Sequence, residues 1–75
     1  MDRSFVEEAI ESNQPFTVRT AAGDSYHVPH RDFISFSAKR TTLIISYEKD
    51  GSEKVAYVPL LTATAVEVDS KHEGV

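Results

Sequence analysis

The chain of 75 residues contains no cysteine and no tryptophan, and it has only three glycines and three prolines. Without cysteine, a disulfide framework, a cysteine-based zinc finger and a cysteine nucleophile are all excluded. The glycines, Gly23, Gly51 and Gly74, are isolated and form no phosphate-binding loop, and there is no Gly-x-Ser-x-Gly nucleophile elbow. We therefore expect a protein that is not an enzyme, with no catalytic residues, no cofactor-binding residues and no cofactor.

Positive charge is also scarce, with eight Lys and Arg residues against twelve Asp and Glu and a net charge of −4. Nonspecific binding of nucleic acid depends on Lys and Arg neutralising phosphates, so a nucleic-acid partner is not expected. No apolar run approaches the ~20 residues of a membrane-spanning helix, and residues 1–4 do not resemble the start of a signal peptide. These features predict a cytoplasmic protein with no membrane partner.

The length allows one small domain, and the composition, 40% hydrophobic and 27% charged, is that of a globular protein. The pattern predicts a single domain over residues 1–69 and a flexible tail over residues 70–75. A domain of this size buries only about 60% of the surface of its unfolded chain. Self-association would bury more apolar surface, so a homo-oligomer is one expected state.

The first segment has the pattern of a short helix. Ser4 and Glu7 form an S-x-x-E capping box, and Asn13 suits the left-handed residue that often ends a helix. Pro15 cannot extend the helix, because it lacks a backbone N–H. The apolar residues between these signals share one stripe: Phe5, Val6, Ala9 and Ile10.

After Pro15 the apolar residues alternate with a period of two, which is typical of half-buried strands. Pro29 bends the second strand or places it at a sheet edge, and Asp50-Gly51 is a strong hairpin signal. An open sheet would leave two exposed edges, which closure into a barrel removes. We therefore predict a mainly β fold, with an N-terminal α-helix followed by a five-stranded antiparallel small barrel, its strands at residues 16–20, 25–36, 42–47, 55–58 and 64–68. The predicted core consists of Phe5, Ile10, Phe16, Val18, Val28, Phe33, Leu43, Ile45, Val55, Tyr57 and Val66.

This order of elements, with a tight break between the last two strands, resembles the Sm-like and, more broadly, the SH3-like small barrel. The strand at residues 16–20 followed by Gly23 is similar to the opening of the first Sm motif, and residues 57–68 occupy the place of the second. The chain departs from the pattern, since Val28-Pro29 replaces the second glycine and Asp32 comes about two positions early. The second motif has neither the Arg-Gly nor the Lys-His pair that faces RNA in that superfamily. The resemblance therefore implies the fold and not RNA binding.

A second resemblance covers about residues 9–68. Pro15-Phe16, Gly23-Asp24-Ser25-Tyr26, His30-Arg31-Asp32-Phe33 and Tyr57-Val58-Pro59-Leu60-Leu61 are similar to a group of short bacterial proteins common in planctomycetes and related lineages. That group shares a Pro-Phe opening, a His-x-x-Phe centre and an aromatic-x-x-Leu-Leu ending, and it usually has proline where Arg31 stands. Since the group is uncharacterised, the resemblance implies no function.

The run from His27 to Asp32 is the strongest motif for a metal site. His27, His30 and Asp32 could supply two imidazoles and a carboxylate, one ligand short of the usual tetrahedral structural site. Residues three apart on a regular strand point to opposite faces, so only a bend at Pro29 could bring the two rings together. We favour the alternative, in which these are exposed histidines beside a turn and no metal is bound.

Two charged sets could bind partners. A basic and aromatic patch for single-stranded nucleic acid could be formed by Arg31, Lys39 and Arg40 with Phe33 and Phe36, extended by Lys49 and Lys54. An acidic helix face, formed by Glu7, Glu8 and Glu11, could dock a basic partner. For both sets the favoured interpretation is an ordinary solvated surface, and the two Phe residues are expected in the core.

Taken together, these patterns favour a small non-catalytic protein-interaction module whose protein partner the sequence does not identify. An exposed strand edge could recruit that partner by strand addition. The alternative is an Sm-like ring-forming RNA-binding protein. Assembly into a ring with a basic pore would distinguish this alternative from the interaction module.

Overall fold

In the computed structural model, the described part of the chain is residues 1–69. The predicted flexible tail, residues 70–75, lies outside the described residues. The mainly β class with one N-terminal helix is confirmed. The described elements, in chain order, are α1 (Arg3–Glu11), β1 (Phe16–Thr20), β2 (Ser25–Val28), β3 (Ile34–Phe36), β4 (Thr42–Lys49), β5 (Ser52–Pro59) and β6 (Ala63–Val68).

The strands of the described chain form two antiparallel sheets of three strands each, with the orders β2-β1-β6 and β3-β4-β5. The prediction of a closed five-stranded barrel is therefore wrong. The predicted second strand is divided into β2 and β3, which lie in different sheets. Pro29 has no N–H to donate to a ladder, and a 3-10 turn follows at Arg31–Phe33, where the Asp32 N–H donates to His30 Nδ1 at 3.3 Å.

The helix begins earlier than its predicted capping box. Asp2 is the N-cap, and its Oδ1 accepts from the N–H of Ser4 at 3.1 Å, so the predicted cap at Ser4 is wrong. Asn13 has a φ of 57°, which confirms the predicted left-handed end. Because an isolated helix of nine residues is unstable in water, α1 depends on its contact with β6 and on the burial of Val6 and Ala9. No helix within residues 1–69 is long and apolar enough to cross a membrane.

The hairpin between β4 and β5 has the predicted two-residue turn. Asp50 and Gly51 have φ values of 55° and 78°, and positive φ at both central residues is the requirement of a type I′ turn. The turn sets the register of the whole hairpin, so that Lys49 lies opposite Ser52 and Leu43 lies opposite Val58.

The core lies between the inner faces of the two sheets and the buried side of α1. Five predicted core residues are confirmed as buried: Phe16, Val18, Val28, Leu43 and Ile45. Ile10 and Val66 are partly buried and pack against this core. The buried residues outside the predicted core are Ile34, Val58, Leu60 and Ala63, together with Val6 and Ala9 from the predicted apolar stripe of the helix.

Four predicted core residues are exposed instead. Val55 and Tyr57 of β5 are 47% and 69% exposed, because the register places Ala56 and Val58 opposite the inward-facing Ile45 and Leu43. The run of apolar residues in β5 does not alternate with polar ones, and it therefore did not indicate which face is buried. On α1 the stripe is rotated so that Val6 is buried and Phe5 is 57% exposed.

Phe33 is the fourth of these residues and is 41% exposed. It ends the 3-10 turn, and β3 begins one residue later with the buried Ile34. The turn changes the direction in which successive side chains point, and the inward position therefore falls to Ile34. Phe33 is left exposed beside β2 and β4, where it lines a groove.

Candidate functional site

A groove of approximately 950 Å³ lies between β2 and the hairpin formed by β4 and β5. It exists because β3 pairs only with the first half of β4, at Leu43 to Ile45. From Ser46 onward, β4 is paired by strand hydrogen bonds with β5 and with no other strand of residues 1–69. The groove runs along this unpaired edge, residues 46–49, and along β2. Its lining residues are Asp24, Ser25, Tyr26, His27, Pro29, Phe33, Ser46, Tyr47, Glu48, Lys49 and Glu53.

Aromatic side chains form the apolar part of the groove. Tyr26 follows the inward side of β2 and Tyr47 the inward side of β4, so the two rings meet where the core opens. Their centroids are 5.8 Å apart with an interplanar angle of 64°, the edge-to-face arrangement that aromatic pairs prefer. Phe33 and Pro29 extend this surface. The groove thus joins an aromatic lining to an unpaired strand edge.

Negative charge predominates along the groove, where three carboxylates, those of Asp24, Glu48 and Glu53, are opposed by the single ammonium of Lys49. Two of the carboxylates, Glu48 and Glu53, are directly opposite each other across the β4–β5 pair. Like charges in this position destabilise a sheet. The ion pairs of residues 1–69 use none of the three groove carboxylates; they are Arg19–Glu67, His30–Asp32 and Arg40–Glu7.

Reversing one of these charges tests this arrangement. We expect Glu53→Lys to raise the free energy of unfolding by about 0.5 kcal/mol, because an opposite-charge pair replaces a like-charge pair. Glu48→Lys with Glu53→Lys is the control, since it restores a like-charge pair at the same two opposed positions. Urea denaturation at low salt measures both variants. A Glu53→Lys protein no more stable than the double variant would show that the two glutamates do not repel each other.

The environment of Tyr26 is electrostatically unfavourable for a phenolate. Burial raises the pKa of the Tyr26 phenol above its ordinary value of 10.0, and the charges of Asp24 and of an ionised Tyr47 raise it further. The phenol of Tyr26 therefore stays protonated in the groove at pH values where an ordinary tyrosine ionises.

This pKa shift predicts how stability depends on alkaline pH. Since the unfolded chain releases the Tyr26 proton at a lower pH than the folded one, the contribution of Tyr26 is fully present below pH 10. It is lost as the pH rises through the pKa of the folded state. We expect the free energy of unfolding to fall less between about pH 9 and about pH 10.5 in Tyr26→Phe than in the unaltered protein. Urea denaturation at the two pH values measures the difference, with the exposed Tyr57→Phe as control, and equal decreases in Tyr26→Phe and the unaltered protein would contradict the prediction.

The histidines considered for a metal site lie on different elements. His30 Nδ1 is 3.3 Å from Asp32 Oδ2 beside the 3-10 turn. His27, on β2, instead has its Nδ1 3.3 Å from the hydroxyl of Thr17 on β1. In the part of the chain that is described, no group of three or more His, Asp or Glu residues is placed to hold a metal ion.

The residues of the basic and aromatic patch are distributed around β3. Arg31 precedes β3, whereas Lys39 and Arg40 follow it. The guanidinium of Arg40 lies 5.7 Å from the centroid of the Phe36 ring, and its Nη1 is 2.7 Å from Glu7 Oε2. Arg40 thus joins α1 to the turn before β4. Glu8 and Glu11 remain exposed on the outer side of α1.

The sequence patterns did not indicate the groove, although one signal in them was available. A two-residue turn at Asp50-Gly51 places residues equidistant from the turn opposite each other, which predicts that Glu48 faces Glu53. The approach of Tyr26 to Tyr47 had no such signal, because the two residues belong to different sheets.

No family model, no curated protein and no solved structure matches this chain. The chemistry of the groove is therefore the basis for a functional proposal. Its aromatic lining provides apolar contact area, its strand edge provides backbone donors and acceptors, and its carboxylates provide charge.

Proposed function

We propose that the protein is a non-catalytic interaction module that binds an extended peptide segment of a partner protein in the groove. The observation that carries this proposal is the aromatic lining, Tyr26, Tyr47 and Phe33, beside the unpaired edge at residues 46–49. Aromatic side chains provide large contact areas and lose little conformational entropy on binding. A free strand edge can form main-chain hydrogen bonds with an extended segment.

We also propose that the two sheets are an open form of the Sm-like or SH3-like small barrel. Three features support this: the helix comes first, the second predicted strand divides at Pro29 between the two sheets, and a 3-10 turn at Leu60–Thr62 connects the last two strands. The groove is then the gap left where β2 and β4 are not paired. Membership of the group of short bacterial proteins, suggested by the sequence patterns, is likewise a proposal.

Selection from a library of random displayed peptides tests the proposed function. We expect the unaltered protein to enrich peptides whose affinity falls about tenfold or more for Tyr47→Ala, since aromatic anchors dominate such interfaces. Tyr57→Ala is the matched control, because Tyr57 is 69% exposed on the neighbouring strand and does not line the groove. Thermal unfolding confirms that each variant is folded.

Two results would contradict this proposal. One is a library that yields no binding peptide. The other is a set of peptides whose affinity falls equally in Tyr47→Ala and in Tyr57→Ala. In the second case the peptides would bind outside the groove. Tyr47→Phe, which retains the ring, is expected to keep most of the affinity and shows that the ring itself is needed.

A second candidate, an Sm-like ring-forming RNA-binding protein, is favoured by the free edges of two other strands. In residues 1–69, β5 pairs only with β4, and β6 pairs only with β1. If the β5 edge of one copy pairs with the β6 edge of the next copy, the same contact repeats from copy to copy, and the copies can close into a ring. Val55 and Tyr57 are exposed on one of these edge strands, β5.

Native mass spectrometry of protein purified gently from its host distinguishes the two candidates. A mass of several copies with bound nucleotide, lost in Val55→Lys, would support the ring, because a charge on an edge strand opposes pairing. A single 8.3 kDa species with nothing bound leaves the interaction module.

A further inference from the structure

Resting on the proposed function, we propose that the groove selects an extended partner segment that carries an arginine side chain. The inference depends on three properties of the lining residues: their net charge, the position of two of the carboxylates, and the aromatic rings beside them.

The first property is charge complementarity. The groove has three carboxylates and one ammonium, and the ion pairs of residues 1–69 leave all three carboxylates without a cationic partner. A segment rich in Asp or Glu would be repelled, and a neutral one would gain nothing from these groups. A cationic segment is therefore the complementary ligand.

The second property is the direct opposition of Glu48 and Glu53 across the hairpin. A cation placed between them would interact with both carboxylates and would remove their mutual repulsion. A guanidinium group suits this position because its planar fork of N–H donors can serve two acceptors at once. Both glutamates are exposed, so binding through them is expected to weaken as salt is added.

The third property is the aromatic lining, which favours arginine over lysine. A guanidinium stacks on the face of an aromatic ring while its edges bind carboxylates. The protein contains this arrangement once already, since Arg40 lies over Phe36 and also pairs with Glu7. In the groove, the rings of Tyr26, Tyr47 and Phe33 line the same space as the carboxylates and have no guanidinium over them in the described chain. An arginine of the partner would complete the arrangement.

NMR titration of the ¹⁵N-labelled protein tests the inference with a defined probe. The probe is an acetylated and amidated octapeptide of alternating valine and arginine, and the reference replaces each arginine by citrulline, which is similar in shape but uncharged. We expect the arginine peptide to shift the resonances of the groove residues and to bind at least about tenfold more tightly than the citrulline peptide. The ratio of the two affinities should fall as salt is raised from about 0.05 M to about 0.5 M, because salt screens the charges.

A matched pair of double variants separates the groove from the overall charge. Glu48→Gln with Glu53→Gln removes two charges in the groove, whereas Glu8→Gln with Glu11→Gln removes two on the helix. We expect the affinity for the arginine peptide to fall about tenfold in the groove variant and to change less than about twofold in the helix variant. Equal weakening in the two variants would overturn the inference, because it would show nonspecific attraction to an acidic protein.

The remaining outcomes distinguish this inference from the proposed function. If the citrulline peptide, or a peptide of alternating valine and lysine, shifts the groove resonances and binds as tightly as the arginine peptide, arginine selection is wrong and the interaction module stands. If no peptide shifts those resonances and the displayed library also yields no groove-dependent binder, both proposals fall. A shift confined to α1 also overturns the inference.

Discussion

Replacing Phe16 by alanine is expected to lower the free energy of unfolding by about 3–5 kcal/mol, the range for removing a buried aromatic ring. Phe16 is 1% exposed at the start of the central strand of its sheet, where it lies opposite both Val28 and Val68. A domain of this length has a total stability of about 4–11 kcal/mol. The variant should therefore be largely unfolded well below the denaturing temperature of the unaltered protein.

Phe5→Ala is the matched control for this prediction, because the same ring is removed from a side chain that is 57% exposed. We expect a loss of less than about 1 kcal/mol there, since little of that surface leaves water on folding. Circular dichroism followed through a urea titration measures both variants. Similar losses in the two would show that Phe5, as the apolar stripe of the helix predicted, belongs to the core.

Val6→Asp is expected to have an effect of comparable size on the docking of α1. Val6 is fully buried in the core cluster, and an unpaired carboxylate there would be removed from water without compensation, at a cost of about 3–5 kcal/mol. Because nine residues do not hold a helix alone, release of α1 should abolish its helical signal. The measurement is the circular dichroism at 222 nm together with the urea midpoint.

Phe5→Asp is the control for this second prediction. It places the same carboxylate one residue earlier, on the exposed side of the same helix. An aspartate in the first turn of a helix is favoured by the helix dipole, so the helical signal should persist. If both variants keep that signal and differ little in midpoint, then α1 is not held by Val6.

The local signals in the sequence were the most reliable. The period of two after Pro15 predicted β1 with its observed bounds, and Asp50-Gly51 predicted the hairpin whose turn has positive φ at both residues. These predictions hold because turn geometry and strand periodicity depend on neighbouring residues alone. The cap of α1 was misassigned because Asp2 and Ser4 are both good N-cap residues, two positions apart.

Burial on β5 could not be predicted, because four consecutive residues, 55–58, are all apolar. Only the register with β4 decides that Ala56 and Val58 point inward and that Val55 and Tyr57 point outward. In the same way, Pro29 indicated a bend but not its consequence. Whether a bent strand stays in one sheet or passes to another depends on which strands pair with it before and after the bend.

By itself, the sequence determined the helix, most of the strands, the β4–β5 turn and the acidic balance of charge, since each follows from residue type and short-range spacing. The tertiary structure alone decided that the described strands form two sheets and that β2 lies beside β4 without pairing with it. It also decided that Tyr26 and Tyr47, 21 positions apart in the printed chain, share one groove with three carboxylates. Contacts between sheets depend on how distant segments pack, and local patterns carry no record of that packing.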